Sequence, residues 1–139
     1  MSATPPLQLE FFQSLWAMQL RRPDGIEDSE EAVFEKVAGA GYDGVCIDLS
    51  VTDMATARRL KPLIDRHKLG CTLTAFPARF GDFPEILRLA GELEVRYLDI
   101  ICQIMPIDVP SAAPVLFRLM EMAEAAGIEM HLETHRNSI

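Results

Sequence analysis

The sequence repeats one unit, a helical segment followed by a tight turn and a β-strand. The unit occurs four times at intervals of roughly 30 residues, the length of one βαβ step. Three of the turns contain a glycine, at Gly41, Gly70 and Gly127, and glycine is common just after a helix. With residues 9–15 as an opening strand, strands and helices alternate along the whole chain. This alternation predicts five strands in a parallel sheet, connected by four helices through right-handed crossovers.

Several residues mark the ends of the first two helices. Asp28 or Ser29 is expected to cap the first helix and Asp53 the second, because their side chains accept hydrogen bonds from helical N–H groups. Pro62 lies inside the second helical segment. It removes one backbone hydrogen bond, so we expect a kink or a break near Lys61.

The long connections all follow strands, at residues 19–28, 77–84 and 104–111. They therefore gather at the carboxyl end of the predicted sheet, which is where α/β proteins bind their ligands.

A closed barrel fits the pattern better than an open sheet. The residues after Leu15 lack the glycine-rich turn of a dinucleotide-binding fold. Central strands of open parallel sheets are usually apolar on both faces, whereas here the inward positions are largely polar. They are Gly44, Cys46, Asp48 and Ser50, then Asp99, Ile101 and Gln103, then Glu129, His131, Glu133 and His135.

The length of 139 residues allows one domain but falls short of the roughly 250 residues of a closed (β/α)8 barrel. We therefore expect residues 1–139 to form a single, C-terminally truncated domain, an incomplete (β/α)8 TIM barrel of α/β class.

The last predicted strand, residues 128–135, carries ionisable side chains on one face only. Ile128, Met130 and Leu132 alternate with acidic and histidine residues, so one face packs and the other faces a site.

Composition limits the possible partners. The net charge is −8, with scattered Lys and Arg residues, which disfavours a nucleic acid or membrane partner and favours a small molecule. The sequence shows neither an apolar run of membrane-spanning length nor a basic leader, so we expect a cytoplasmic protein. Cys46, Cys71 and Cys102 are far apart and are expected to be small core residues.

Several of these segments resemble one protein family. Residues 35–45, with their Ala40-Gly41-Tyr42-Asp43-Gly44-Val45 run, residues 60–72, and residues 126–136 are similar to the sugar phosphate isomerase/epimerase group of the xylose isomerase-like TIM barrels. The resemblance covers nearly the whole chain. It implies a metal-dependent sugar or sugar-phosphate isomerase or epimerase, of which this chain would be the N-terminal portion, inactive alone.

The resemblance also implies a site. Glu133 matches the first metal-binding carboxylate of that family and is the expected metal ligand and catalytic carboxylate, whereas Cys46 stands where many relatives carry a Glu. The expected metal is Mn²⁺, Mg²⁺, Zn²⁺ or Co²⁺, and this chain alone is not expected to bind it tightly. Carboxylate oxygens suit Mg²⁺ or Mn²⁺, and an added imidazole extends the choice to Zn²⁺ or Co²⁺.

Five further residues are candidates for contact with a sugar. Trp16 is expected to stack on the sugar ring. Arg79 and Phe80 are expected to supply a cation and an apolar wall. His135 is expected to contact the substrate or to orient Glu133, and Arg136 to bind a phosphate or carboxylate group. For each, a structural role is the alternative: a core aromatic, a solvated loop or a salt bridge. His131 lies deeper on the same face and is an interior histidine in the simpler interpretation.

A second function class stays open at this point. A sheet of five strands leaves its first and last strands unpaired, so the chain is also interpretable as a non-catalytic half-barrel that self-associates as a homo-oligomer. A DNA-repair endonuclease of the same superfamily fits the fold but not the net charge.

Overall fold

The computed structural model describes residues 8–19, 23–104 and 108–135. In these ranges the chain forms a five-stranded parallel sheet and four helices in strict alternation, as predicted. The strands are β1 (Phe12–Ser14), β2 (Gly44–Asp48), β3 (Gly70–Ala75), β4 (Leu98–Ile100) and β5 (Met130–Leu132). The helices are α1 (Glu30–Gly39), α2 (Met54–His67), α3 (Phe83–Glu92) and α4 (Val109–Ala125).

The strands lie in the sheet in the order in which they follow one another in the chain, β1-β2-β3-β4-β5. Every neighbouring pair is parallel, for example Phe12 opposite Gly44 and Asp99 opposite His131. Sequential order with right-handed crossovers places all the helices on one face of the sheet. The described chain is therefore part of a (β/α) barrel, with an outer, helix-covered face and an inner face.

The core lies between the outer face and the helices. Alternate strand residues such as Val45, Ile47 and Leu73 are fully buried, and they pack in one cluster with helix residues such as Phe34 and Leu89. Strands with one buried face follow the two-residue period of the β conformation. The inner-face neighbours Cys46 and Asp48 are only partly buried.

The helix starts follow the predicted capping. The Ser29 hydroxyl, rather than Asp28, accepts a hydrogen bond from the Ala32 N–H at 3.2 Å, and the Asp53 carboxylate accepts from the Thr56 N–H at 2.9 Å. Asp28 instead forms an ion pair with Lys36.

The predicted break near Lys61 does not occur, because α2 runs through Pro62 to His67 as one helix. α4 begins at Val109, inside the long connection that was predicted to extend to residue 111, because the Asp108 carboxylate accepts from the Ser111 N–H at 3.1 Å and caps the helix there. Proline in the first turn loses no helical hydrogen bond, so Pro110 is compatible with this start.

The two edge strands are shorter than predicted. β1 covers Phe12–Ser14 instead of residues 9–15, and β5 covers Met130–Leu132 instead of residues 128–135. Each edge strand has one neighbour, which limits its regular pairing. The ladder still continues for one residue after β5, because the Glu133 N–H donates to the Ile100 carbonyl at 2.9 Å.

The inner face is closed at the amino end of the strands by Phe12. Its ring lies across β2 and β3, where two glycines provide the space: a Cβ at Gly44 would lie 2.4 Å from Phe12 Cε1 and 2.5 Å from the Gly70 carbonyl oxygen. A side chain at Gly44 is therefore excluded. No described helix is both long and apolar enough to cross a membrane.

Candidate active site

The carboxyl ends of β4 and β5 bring two carboxyl groups together on the inner face. Asp99 lies on β4 opposite His131, and Glu133 follows β5 by one residue. The side chain of Glu133 lies close enough to Asp99 to act on the ionisation of its carboxyl group.

The surroundings of Asp99 raise its pKa. Burial is the largest cause, the neighbouring Glu133 raises the pKa of Asp99 further, and the nearby His131 opposes the shift. Two carboxylates in contact repel each other when both are ionised. Asp99 therefore takes up a proton more readily than an isolated aspartate does.

His131 is held beside this pair by two contacts. Its ring stacks on Tyr97, with centroids 4.4 Å apart and planes at 19°, and its Nε2 lies 2.9 Å from Glu129 Oε1. The Tyr97 ring in turn meets the edge of Phe12, with centroids 6.4 Å apart. These contacts fix the plane of the imidazole, although half of its side chain remains exposed.

Hydroxyl and thiol groups line the inner face of β2 and β3. Cys46 Sγ lies 3.4 Å from Thr74 Oγ1, and Thr72 lies on β3 two residues before Thr74. Asp48 Oδ1 accepts from the Ser50 N–H at 2.7 Å and from its hydroxyl at 2.6 Å. The inner face thus offers donors and acceptors suited to a polyhydroxylated ligand.

The cysteines divide between the two faces. Cys71 and Cys102 are buried, as predicted for small core residues, and burial raises the pKa of the Cys71 thiol to about 12. Cys46 is only partly buried and lies on the inner face.

The first two predicted sugar-binding residues, Trp16 and Arg79, have other surroundings than the carboxyl pair. Trp16 lies in a 3-10 turn after β1, 56% exposed, at the opposite edge of the sheet from Glu133. Arg79 donates to Asp82 in its own loop, with Nη2 2.9 Å from Oδ1. This contact raises the pKa of Arg79 and offsets its charge.

Phe80 and the two C-terminal candidates differ in their surroundings. Phe80 packs against the outer core, with the Arg118 guanidinium 4.5 Å from its ring centroid. His135 is exposed after β5, and Arg136 lies outside the described residues. Among the candidates, the structure therefore brings Glu133 together with a second ionisable group, Asp99.

Asp99 and Tyr97 were not among the predicted site residues. Asp99 was predicted to face inward, and Tyr97 was interpreted as packing. The in-order pairing of β4 with β5 was the available signal, because it aligns Asp99 with His131 once the strands are in register.

The donor set for a metal is partial. Within residues 8–19, 23–104 and 108–135, no group of three or more His, Cys, Asp or Glu side chains is arranged to hold a metal ion. Asp99 and Glu133 supply two adjacent carboxyl groups, which suit a hard divalent cation but do not complete its coordination.

Comparison with known proteins adds no assignment: no family model matches the chain, and no curated protein matches it. The resemblance to the sugar phosphate isomerase/epimerase group stays a prediction.

Proposed function

We propose that the carboxyl end of the inner face belongs to the site of a divalent-metal-dependent sugar or sugar-phosphate isomerase or epimerase. Glu133 is the proposed metal ligand and catalytic carboxylate. The observation that supports the proposal is the closeness of the Asp99 and Glu133 carboxyl groups, which contributes to the raised pKa of Asp99. It lies at the end of a parallel (β/α) sheet where such folds carry their active sites.

The reaction class follows from what the pair can do. Moving a proton between carbon atoms next to a carbonyl requires a base with a pKa near neutrality. A divalent cation, when bound, stabilises the negative charge that develops on the substrate oxygen. The raised pKa of Asp99 brings this carboxyl group closer to that requirement, so proton transfer is assigned to Asp99 and metal binding to Glu133 beside it.

The surrounding side chains would orient the substrate. The hydroxyl of Thr74 and the carboxylate of Asp48 lie on the same face as the pair, and sugar hydroxyls donate strongly to carboxylates. His131, fixed by Tyr97 and Glu129, offers a further ring nitrogen beside Asp99. These groups bind and position; the proton transfer is assigned to Asp99.

Isothermal titration with Mn²⁺ tests the metal assignment. We expect saturable binding at one site, weakened by about 10- to 100-fold or more in Glu133→Gln, since even the loss of an outer-shell partner of a metal ligand has an effect of that size. Glu35→Gln is the control, because Glu35 is an exposed residue of α1, on the helix-covered side of the sheet, and it should change the affinity less than about twofold. Equal binding by wild type and Glu133→Gln would refute the assignment of Glu133.

The proton-transfer step has its own test. Aldoses incubated with the protein and Mn²⁺ in D₂O should exchange the hydrogen on the carbon next to the carbonyl, as measured by NMR, and Asp99→Asn should slow the exchange. If the protein binds Mn²⁺ but does not exchange this hydrogen, the metal site is supported and the assignment to isomerases and epimerases is rejected.

A further inference from the structure

Exposed apolar side chains are concentrated at the two open edges of the sheet. Of the ten large apolar residues that are exposed in the described chain, seven lie beside β1, in β5 or on α4. They are Leu9, Phe11 and Trp16 beside β1, Val109, Phe117 and Met120 on α4, the helix that precedes β5, and Leu132 in β5 itself. Helices α1, α2 and α3 and strands β2, β3 and β4 carry none of the ten. Grouped exposed apolar residues mark interaction surfaces.

The two edges are also the places where the sheet lacks a neighbour. In the described chain β1 pairs with β2 alone and β5 with β4 alone. An edge strand presents unpaired N–H and C=O groups and invites a further strand. Backbone hydrogen bonding and apolar exposure therefore indicate the same two surfaces.

A second copy of this chain fits both edges. All five strands are parallel, so rotation by 180° about an axis along the strands leaves their direction unchanged. That rotation brings β5 of each copy beside β1 of the other, as parallel neighbours. Both edges are then covered at once, and the assembly closes instead of growing into a fibre.

We propose that this chain forms a closed two-fold dimer through β5-to-β1 pairing. The five strands of each copy together form one parallel barrel of ten strands. The dimer also bears on the carboxyl pair. Parallel pairing joins the carboxyl end of β5, which carries Glu133, to the carboxyl end of the partner's β1, which is followed by Trp16 of the partner subunit. Two regions that lie at opposite edges of one chain thus meet in the dimer.

Trp16 provides a direct readout because it is the only tryptophan in the sequence and is 56% exposed at the β1 edge. Sedimentation of the wild-type chain over a concentration series should show a shift from 15.5 kDa to twice that mass. The Trp16 emission maximum should move to shorter wavelength over the same concentrations. A monomer at every concentration, or species larger than a dimer, would overturn the proposal.

Two edge variants and one control test the pairing mode. Leu132→Lys and Phe11→Lys place a charge at the β5 and β1 edges, and each should weaken dimerisation at least tenfold. Val51→Lys, exposed in the loop after β2 and away from both edges, should leave it unchanged within twofold. If only one of the two edge variants weakens association, each copy pairs through the same strand, and the proposed β5-to-β1 pairing is wrong. If Val51→Lys weakens association as much as the edge variants do, the copies do not associate through the sheet edges. Circular dichroism confirms that each variant is folded before its association is scored.

The outcome is independent of the metal assignment. If the chain is a dimer but binds no Mn²⁺, the dimer inference holds and the proposed function is wrong. If the chain is a monomer that binds Mn²⁺ through Glu133, the proposed function holds and the dimer inference is wrong.

Discussion

The two faces of one sheet differ in what they are built to do. The outer face places Val45, Ile47, Leu73, Leu98 and Ile100 at zero exposure beneath the helices. The inner-face residues that alternate with them on β2, β3 and β4 are mostly polar and partly exposed. Burial of apolar area is the main stabilising contribution to a fold. The outer face therefore holds the structure together, and the inner face is available for chemistry.

The largest expected effect compares two sequence neighbours on opposite faces. Leu73→Ala leaves a cavity in the outer core and should lower the free energy of unfolding by about 2–5 kcal/mol. Thr74→Ala removes a hydroxyl that lies 3.4 Å from Cys46 Sγ and should cost about 1 kcal/mol or less. Urea denaturation of both variants measures the difference, and equal losses would show that the inner face is as tightly packed as the outer face.

The next effect concerns the closed, amino end of the inner face. Gly44→Ala should destabilise the fold by about 1–3 kcal/mol, because its Cβ would meet the Phe12 ring and the Gly70 carbonyl. Gly39→Ala is the matched control, since no atom lies within 4 Å of its added Cβ. In α1 it should stabilise by about 0.5–1 kcal/mol. Thermal melts that fail to separate the two substitutions would contradict the position of Phe12.

A smaller effect on the free energy of unfolding depends on pH, and its sign differs between Asp99 on the inner face and Asp53 at the start of α2. The raised pKa of Asp99 means that its folding contribution is present below the ordinary pKa of 3.8 and is lost as the pH rises through the folded value. Asp99→Asn should therefore be more stable than wild type at pH 7, with the difference fading toward pH 4.

The outer helix cap supplies the contrast. Hydrogen bonds from Thr56 lower the pKa of Asp53, so its contribution is present above the ordinary value and is lost as the pH falls through the folded value. Asp53→Asn should be slightly less stable than wild type at pH 7 and equal to it in acid. Denaturation midpoints measured from pH 2 to 7 check both signs, and two parallel profiles would disprove this contrast.

Thiol labelling sharpens the comparison without changing stability. Cys46, partly buried on the inner face, should react with a thiol reagent in the native protein. Buried Cys71 and Cys102 should react only after unfolding. Mass spectrometry of the labelled chain identifies the site, and fast labelling of Cys71 would show that the outer core is open.

The outer face could largely be predicted from the sequence. Period-two alternation and the glycines before the strands determine β2 and β3, and the Asp53 cap determines the start of α2. The ends of the edge strands could not be predicted, because β1 and β5 each rely on pairing with one neighbour, which residue patterns do not reveal. α4 was placed too late because Asp108, its cap, precedes two prolines that suggest a loop.

The candidate site was predictable only in part. Glu133 stood out because ionisable residues alternate along the last strand. Its closeness to Asp99, 34 positions earlier in the chain, depends on the register between β4 and β5. Arg79 pairs with Asp82, and Phe80 packs under Arg118. Both contacts depend on the path of the loop and of the neighbouring helix, which the sequence pattern does not reveal.

Paramagnetic broadening of amide NMR signals by Mn²⁺ tests the central claim most directly, because it locates the bound ion. The account predicts that signals from residues around Asp99 and Glu133, at the carboxyl ends of β4 and β5, broaden first, and that Glu133→Gln abolishes the effect. Broadening that begins at the acidic outer surfaces of α1 or α4, or that is unchanged in Glu133→Gln, would contradict the assignment of the inner face as the site of chemistry.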